Sequence, residues 1–147
     1  MYFDINRQTN IDLMKLEAII QHANDAGLLI VMDSNSRSTS WRDLLTNRRG
    51  RTLEEYLMIK QIHLMNEESH LTTFRNSRGT GNIELTIINN QLLNAVDKWE
   101  ISDQDSCSDH SILRYVVGHS KAIRAERDTL EVKYKVTKEG NENSRLI

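Results

Sequence analysis

Proline is absent from the 147 residues and cysteine occurs once, at Cys107. A single thiol excludes an intrachain disulfide framework and a cysteine-based zinc cluster, and it fits a reducing compartment such as nucleus or cytoplasm. The missing prolines are unusual but exclude no function. No apolar run approaches the roughly 18 residues that span a bilayer, and the opening Met1-Tyr2-Phe3-Asp4-Ile5-Asn6 is neither a signal h-region nor a transit peptide. No membrane partner is therefore expected. An excess of either charge is also missing, since the net charge is -2. Any contact with nucleic acid must then come from a local patch. What remains, 38% hydrophobic and 27% charged residues, is the composition of a globular domain with a core.

Along the chain, Tyr2-Phe3-Asp4-Ile5 reads as a short strand that starts so close to Met1 that its beginning looks removed. Apolar residues at Ile11, Met14, Ile19, Ile20 and Ala23 then recur at helical spacing, with Asn10 as N-cap and Gly27 as the stop, which predicts an amphipathic helix over 11–26 that packs on a sheet. Leu28-Leu29-Ile30-Val31-Met32 is a continuous apolar run of strand length that delivers the polar tip Asp33-Ser34-Asn35-Ser36. Thr52-Leu53-Glu54-Glu55 has the form of a capping box and predicts a second helix to about Lys60. Strands are expected at 62–65, at 82–88 with Ile83, Leu85 and Ile87 on one face and Glu84 on the other, at 99–102, and at 112–117 as a core strand. Residues 77–81 read as a turn. The expected organisation is a domain over 1–118, then an extension over 119–147 with a helix at 121–128, an edge strand at 129–136 and a frayed end.

The residues that could carry chemistry stand where strands meet loops: Asp33 and Asn35, Glu84, and Asp109 with His110. A strand holds one end of such a loop rigidly, so these junctions are where an α/β sandwich presents reactive groups. Phosphodiester hydrolysis needs a carboxylate for water, donors for the charge developing on phosphate oxygens, and a metal at the bridging oxygen. Asp, Asn and His suit those roles. The plain alternative for Asp33 and Asn35 is an Asx-turn after a strand. His22, His63, His70 and His119 show no metal-ligand spacing, and Trp99 and Phe74 read as core.

Taken in order, Leu29-Ile30-Val31-Met32-Asp33-Ser34-Asn35-Ser36, Thr73-Phe74, Ile83-Glu84-Leu85-Thr86 and Ser108-Asp109-His110-Ser111 resemble one family. This is the apurinic-type endonuclease domain of non-LTR retrotransposons, within the endonuclease/exonuclease/phosphatase superfamily. The resemblance covers roughly residues 2–117, and Ser36-Arg37-Ser38 and Trp99 bring it closest to insect-type elements. It implies the carboxy-terminal half of an α/β two-sheet sandwich, a mixed sheet flanked by helices. It further implies that Asp33 orients or deprotonates the attacking water, Asn35 hydrogen-bonds the scissile phosphate, His110 stabilises the transition state, and Asp109 lies near the metal.

Two departures bear on activity. The family usually places an Asp where this chain has Glu84, and one extra methylene displaces a carboxylate by about 1 Å, enough to cost on the order of 100-fold in rate. The family's metal-binding Glu, an early Asn and a site tyrosine belong to the amino-terminal half, which the resemblance does not cover. Glu17, in a helix, is no substitute. The expectation is thus a truncated domain with weak or absent Mg²⁺ binding, inactive alone in one reading, and prone to self-association through an uncovered sheet face.

Residues 37–51 hold five arginines, Arg37, Arg42, Arg48, Arg49 and Arg51, against one acid, Asp43, with Trp41 as a stacking surface. A solvated loop is the competing reading, and the resemblance favours DNA because Arg37 follows the Asp33-Asn35 loop directly. Three functions follow: a magnesium-dependent DNA endonuclease domain of retrotransposon ancestry, a catalytically dead nucleic-acid-binding remnant that uses the Arg37–Arg51 patch, or a non-functional fragment or interaction module.

Overall fold

The computed structural model describes residues 1–118. The helix and strand expected at 121–128 and 129–136 lie outside the described residues. The elements run α1 (Thr9–Ala23), β1 (Leu29–Asp33), α2 (Arg48–Ile59), β2 (His63–Leu64), β3 (Phe74–Asn76), β4 (Gly79–Gly81), β5 (Glu84–Ile88), β6 (Val96–Ile101) and β7 (Leu113–Val117).

A three-stranded antiparallel sheet of order β1-β5-β2 forms the centre. Its middle strand, Glu84-Leu85-Thr86-Ile87-Ile88, is buried at every position. Leu85 and Ile87 face a core of Phe3, Leu16, Ile30, Met32, Leu53 and Leu57, which brings α1 and α2 onto one face. Burying each such side chain contributes roughly 1.5–3 kcal/mol. On the opposite face Trp99 of β6 donates its Nε1–H to Thr86 Oγ1 at 2.9 Å. Trp99 is core, as its sequence context suggests. Glu84 lies on the Thr86 face, opposite Leu85 and Ile87 as expected, and is also covered. A central strand with layers on both sides has no solvent face.

Several boundaries differ from the sequence pattern for local reasons. Helix α1 begins two residues before the expected 11, with Gln8 at its N-cap position and no side chain capping it. The reason is Asp12, fully buried, which must sit where Arg7, Lys15 and Arg49 each come within 3.7 Å. The helix ends at Ala23 because Asn24 takes a positive φ of 47°. Helix α2 starts at Arg48, not at Thr52, because Asn47 is the cap: its Oδ1 accepts the Gly50 N–H at 2.7 Å. Thr52 instead donates its hydroxyl to the Arg48 carbonyl within the helix, at 3.1 Å.

The strand expected at 2–5 is reduced to one parallel bridge, Tyr2 to Asp33. The turn expected at 77–81 is a hairpin, with Phe74, Arg75 and Asn76 paired to Gly81, Thr80 and Gly79. Strand β7, expected in the core, pairs among the described residues with β6 alone and leaves Val116 and Val117 exposed.

Candidate active site

Asp33 and Glu84 are direct partners at one end of the β1·β5 ladder. Paired residues on adjacent strands project to the same face, so the two carboxylates stand side by side. His110 comes from the loop between β6 and β7. That loop is stitched to the residues before β5: Arg75 N–H donates to the Asp109 carbonyl at 2.8 Å, Ser111 N–H to the Thr73 carbonyl at 2.8 Å, and Ser111 Oγ to the Thr72 carbonyl at 2.8 Å. Phe74 packs edge-on against the imidazole, ring centroids 5.1 Å apart. Phe74 is thus half-buried and holds His110, where sequence context made it core. His110 Nδ1 hydrogen-bonds Glu84 Oε1. Asp33, Glu84 and His110 each present a ligand atom within 4.8 Å of the others.

The Asp33–Arg37 loop is held on both sides. Asp33 accepts the Asn35 N–H on Oδ1 at 3.0 Å, so the Asx-turn reading is correct in geometry and coexists with the site. Asn35 adopts φ 46°, a left-handed conformation that asparagine tolerates, and donates Nδ2 to the Phe3 carbonyl at 2.9 Å. Ser34 is buried and donates both its N–H and its Oγ to the Ile83 carbonyl at 2.8 Å. Behind the loop, Asn47 N–H donates to the Arg37 carbonyl at 3.0 Å, and a Cβ placed on Gly50 would lie 1.8 Å from that carbonyl oxygen. Only glycine lets α2 approach so closely.

Glu84 is 7% exposed, and burial pushes its carboxyl above the ordinary glutamate value, with the nearby Asp33 charge adding to the rise. Hydrogen bonds from Thr73 and His110 act in the opposite direction. Its Oε2 is buried with no hydrogen-bond partner. Asn66, which the sequence reading missed, replaces a strand partner for this residue: its Nδ2 donates to the Glu84 carbonyl at 2.9 Å, and its Oδ1 accepts the Thr86 N–H at 3.0 Å. Tyr2 was missed as well. Its backbone bridges to Asp33, and the residue is 58% exposed. No local pattern distinguishes either residue.

Magnesium takes oxygen ligands in near-octahedral geometry. Here one of the three ligands is an imidazole, and its Nδ1 and the Glu84 Oε1 are committed to each other. The other Glu84 oxygen is buried, and one Asp33 oxygen already accepts the Asn35 amide. The trio therefore does not by itself make a magnesium site, and a cation that accepts nitrogen would suit it better. Asp109, expected near the metal, is exposed and outside the trio. It borders a groove of about 270 Å³ with Arg75, Ser106 and Ser108.

The proposed basic patch is divided by the structure. Trp41 is 1% exposed and donates Nε1–H to the Ser36 carbonyl at 3.2 Å, so it is core and no base can stack on it. Arg37 pairs with buried Asp43 at 3.7 Å and donates to the Thr80 carbonyl at 2.8 Å, which fixes the β3–β4 hairpin. Arg49 is drawn to Asp12. Arg42, Arg48 and Arg51 remain exposed. Cys107, in the loop that carries His110, is a free and exposed thiol.

Two carboxylates and an imidazole thus converge where β1, β5 and the β6–β7 loop of an α/β fold meet. The solved endonuclease domain of TRAS1, a telomere-specific non-LTR retrotransposon, superposes with a TM-score of 0.73 at 22% identity, over 80% of this chain and 53% of that one. A family model described as endonuclease-reverse transcriptase matches residues 1–114, and the chain belongs to that family. Among curated relatives, a putative 115 kDa protein in the type-1 retrotransposable element R1DM of Drosophila melanogaster is 27% identical over 123 residues, 78% of this chain. The retrovirus-related Pol polyprotein from the type-1 retrotransposable element R1 of Bradysia coprophila is 24% identical over 110 residues, 69% of this chain. The matched region spans 12% and 11% of those two proteins.

Proposed function

We propose that the chain carries the catalytic carboxy-terminal elements of a DNA endonuclease of retrotransposon type, which hydrolyses a phosphodiester bond. The observation that supports this reading is the convergence of Asp33, Glu84 and His110 from β1, β5 and the β6–β7 loop to within 4.8 Å. The Asx-turn that Asp33 makes does not account for Glu84 and His110 joining it from positions so far apart in sequence.

In this reading the uncommitted Asp33 oxygen takes a proton from the attacking water, whose oxygen bonds to phosphorus while the bond to the departing sugar oxygen breaks. Asn35 has one amide hydrogen held by Phe3 and a second left for a phosphate oxygen. His110 uses Nδ1 on Glu84, so Nε2 faces the substrate and, when protonated, donates to a phosphate oxygen. Magnesium, which the family implies, needs further oxygen ligands than these residues supply. The site of action is the nucleus, where a retrotransposon finds its target. Nicking of supercoiled plasmid by the full chain in magnesium, lost in Asp33→Ala and His110→Ala, is the expected result. Nicking that survives both changes would sink the assignment.

The incomplete magnesium donor set favours one second reading, a catalytically dead remnant that binds DNA through exposed Arg42, Arg48 and Arg51. It predicts salt-sensitive DNA binding without cleavage, unchanged in Asp33→Ala. Self-association through the exposed outer side of β7 belongs to the same proposal and is read by sedimentation of wild type against Val117→Lys. A wild-type monomer at high concentration would refute it.

A further inference from the structure

A groove of about 440 Å³ opens between the amino-terminal ends of α1 and α2, and Arg7, Gln8, Arg48, Arg49 and Thr52 line it, with no carboxylate residue in its lining. Beneath it lies Asp12, fully buried. One buried carboxylate needs about one cation, yet Arg7, Lys15 and Arg49 all stand 3.7 Å from it. With Asp4, which pairs with Arg7 at 3.9 Å, two carboxylates face these three cations, and of the three Arg7 and Arg49 line the groove. Arg48 adds a fourth cation with no ion-pair partner among the described residues.

The cations are also held in place. Arg49 is 16% exposed, donates Nη1 to the Arg7 carbonyl at 2.8 Å, and keeps Nε and Nη2 buried without hydrogen-bond partners. Nη2 faces Asp12 Oδ2 at 3.7 Å, so burial against that carboxylate fixes the guanidinium at the floor of the groove. The first N–H groups of α1, which no side chain caps, face the same end. Asp12 is thus an anchor that pre-orients guanidinium groups, which lowers the ordering cost of binding a phosphate.

We infer that this groove binds the sugar-phosphate backbone of a DNA strand, at a position displaced from the scissile phosphate. The inference rests on the proposed nucleic-acid substrate. Phe3 is hydrogen-bonded to both Asp33 and Asn35, and Arg7 follows four residues later. Four residues reach at most about 14 Å. The groove therefore engages a phosphate a few nucleotides from the cut. Arg48, with no ion-pair partner among the described residues, is free to close on the phosphate, whereas Arg7 is shared with Asp4 at 3.9 Å and Asp12 at 3.7 Å.

The test measures binding of a short labelled DNA duplex by the full chain, in chelator so that nothing is cut, across a range of salt concentrations. Arg48→Gln, exposed and unpaired, and Arg7→Gln should each lower the slope of log affinity against log salt by roughly one. Arg114→Gln, on β7, should leave the slope unchanged. Equal slopes in wild type and Arg48→Gln, or no binding at low salt, would overturn the groove. So would tighter binding of single-stranded RNA through the same arginines. Failure of the nuclease reading is separable: a chain that never nicks plasmid but shows the slope change keeps the groove, and nicking with an unchanged slope removes the groove alone.

Discussion

His110 Nδ1 and Glu84 Oε1 share a hydrogen bond that joins residues 26 positions apart and leaves Nε2 as the imidazole nitrogen facing outward. Glu84 reaches His110 with a side chain one methylene longer than an aspartate. The longer side chain is accommodated because Glu84 starts from the middle strand of the sheet, buried, while the His110 loop is tied to residues 72–75 by backbone hydrogen bonds. The strand sets one partner and the loop sets the other, so the pair closes without adjustment in either.

Replacing Glu84 by glutamine should change how stability depends on pH. Burial raises the folded-state pKa of Glu84 above the value of 4.5 that it has when free. Below about that pH both states carry the proton and the carboxyl costs nothing. As pH rises through the folded value, the unfolded chain has already lost its proton and the native chain must ionise in a buried place, so wild-type stability falls. Denaturant unfolding from acid to neutral pH should show Glu84→Gln gaining on wild type across this window. A constant gap would contradict the burial argument.

His110→Ala should separate chemistry from folding. The side chain is 44% exposed, so its loss should cost less than about 1 kcal/mol, whereas removing a positioned acid or base costs about 10²–10⁴ in rate. Plasmid nicking and a thermal melt on one preparation decide the matter. A melt lowered in step with activity would make His110 a structural residue.

Gly50→Ala should destabilise the protein and misplace the Asp33–Arg37 loop. Alanine is favoured in a helix by about 1 kcal/mol, but the added Cβ would meet a backbone oxygen at 1.8 Å, and relieving such a clash costs about 1–3 kcal/mol. The clash wins because neither backbone can yield without moving Asn47. A variant as stable and as active as wild type would disprove the clamp.

Trp41→Ala should cost roughly 3–5 kcal/mol, as large core deletions do, and should leave the Ser36 carbonyl without its donor. A stability loss under about 1 kcal/mol, with weakened DNA binding instead, would restore the stacking role.

Much of the fold is legible in the residues. The apolar run before Asp33 becomes β1, the 82–88 run becomes β5, and helices occupy most of the two stretches where periodicity places them. The same residues name the ancestry, because Asp33-Ser34-Asn35 and Ser108-Asp109-His110 keep their order and spacing. What the pattern misjudges are positions whose fate depends on distant partners. Asn47 displaces the capping box at Thr52 because it must also receive the Arg37 N–H, at 3.2 Å. Asp12 draws α1 forward because cations from α2 and the loop before α1 converge on it.

The sequence by itself determined the strand and helix succession and the identity of the reactive groups, because hydrophobic period and residue chemistry are local properties. Only the tertiary structure decided that Glu84 is buried and holds His110, that Trp41 and Arg37 belong to the scaffold, and that Arg7, Arg48 and Arg49 line a groove over Asp12. Desolvation and charge pairing depend on which side chains meet across the fold, and that information exists only once the layers have packed.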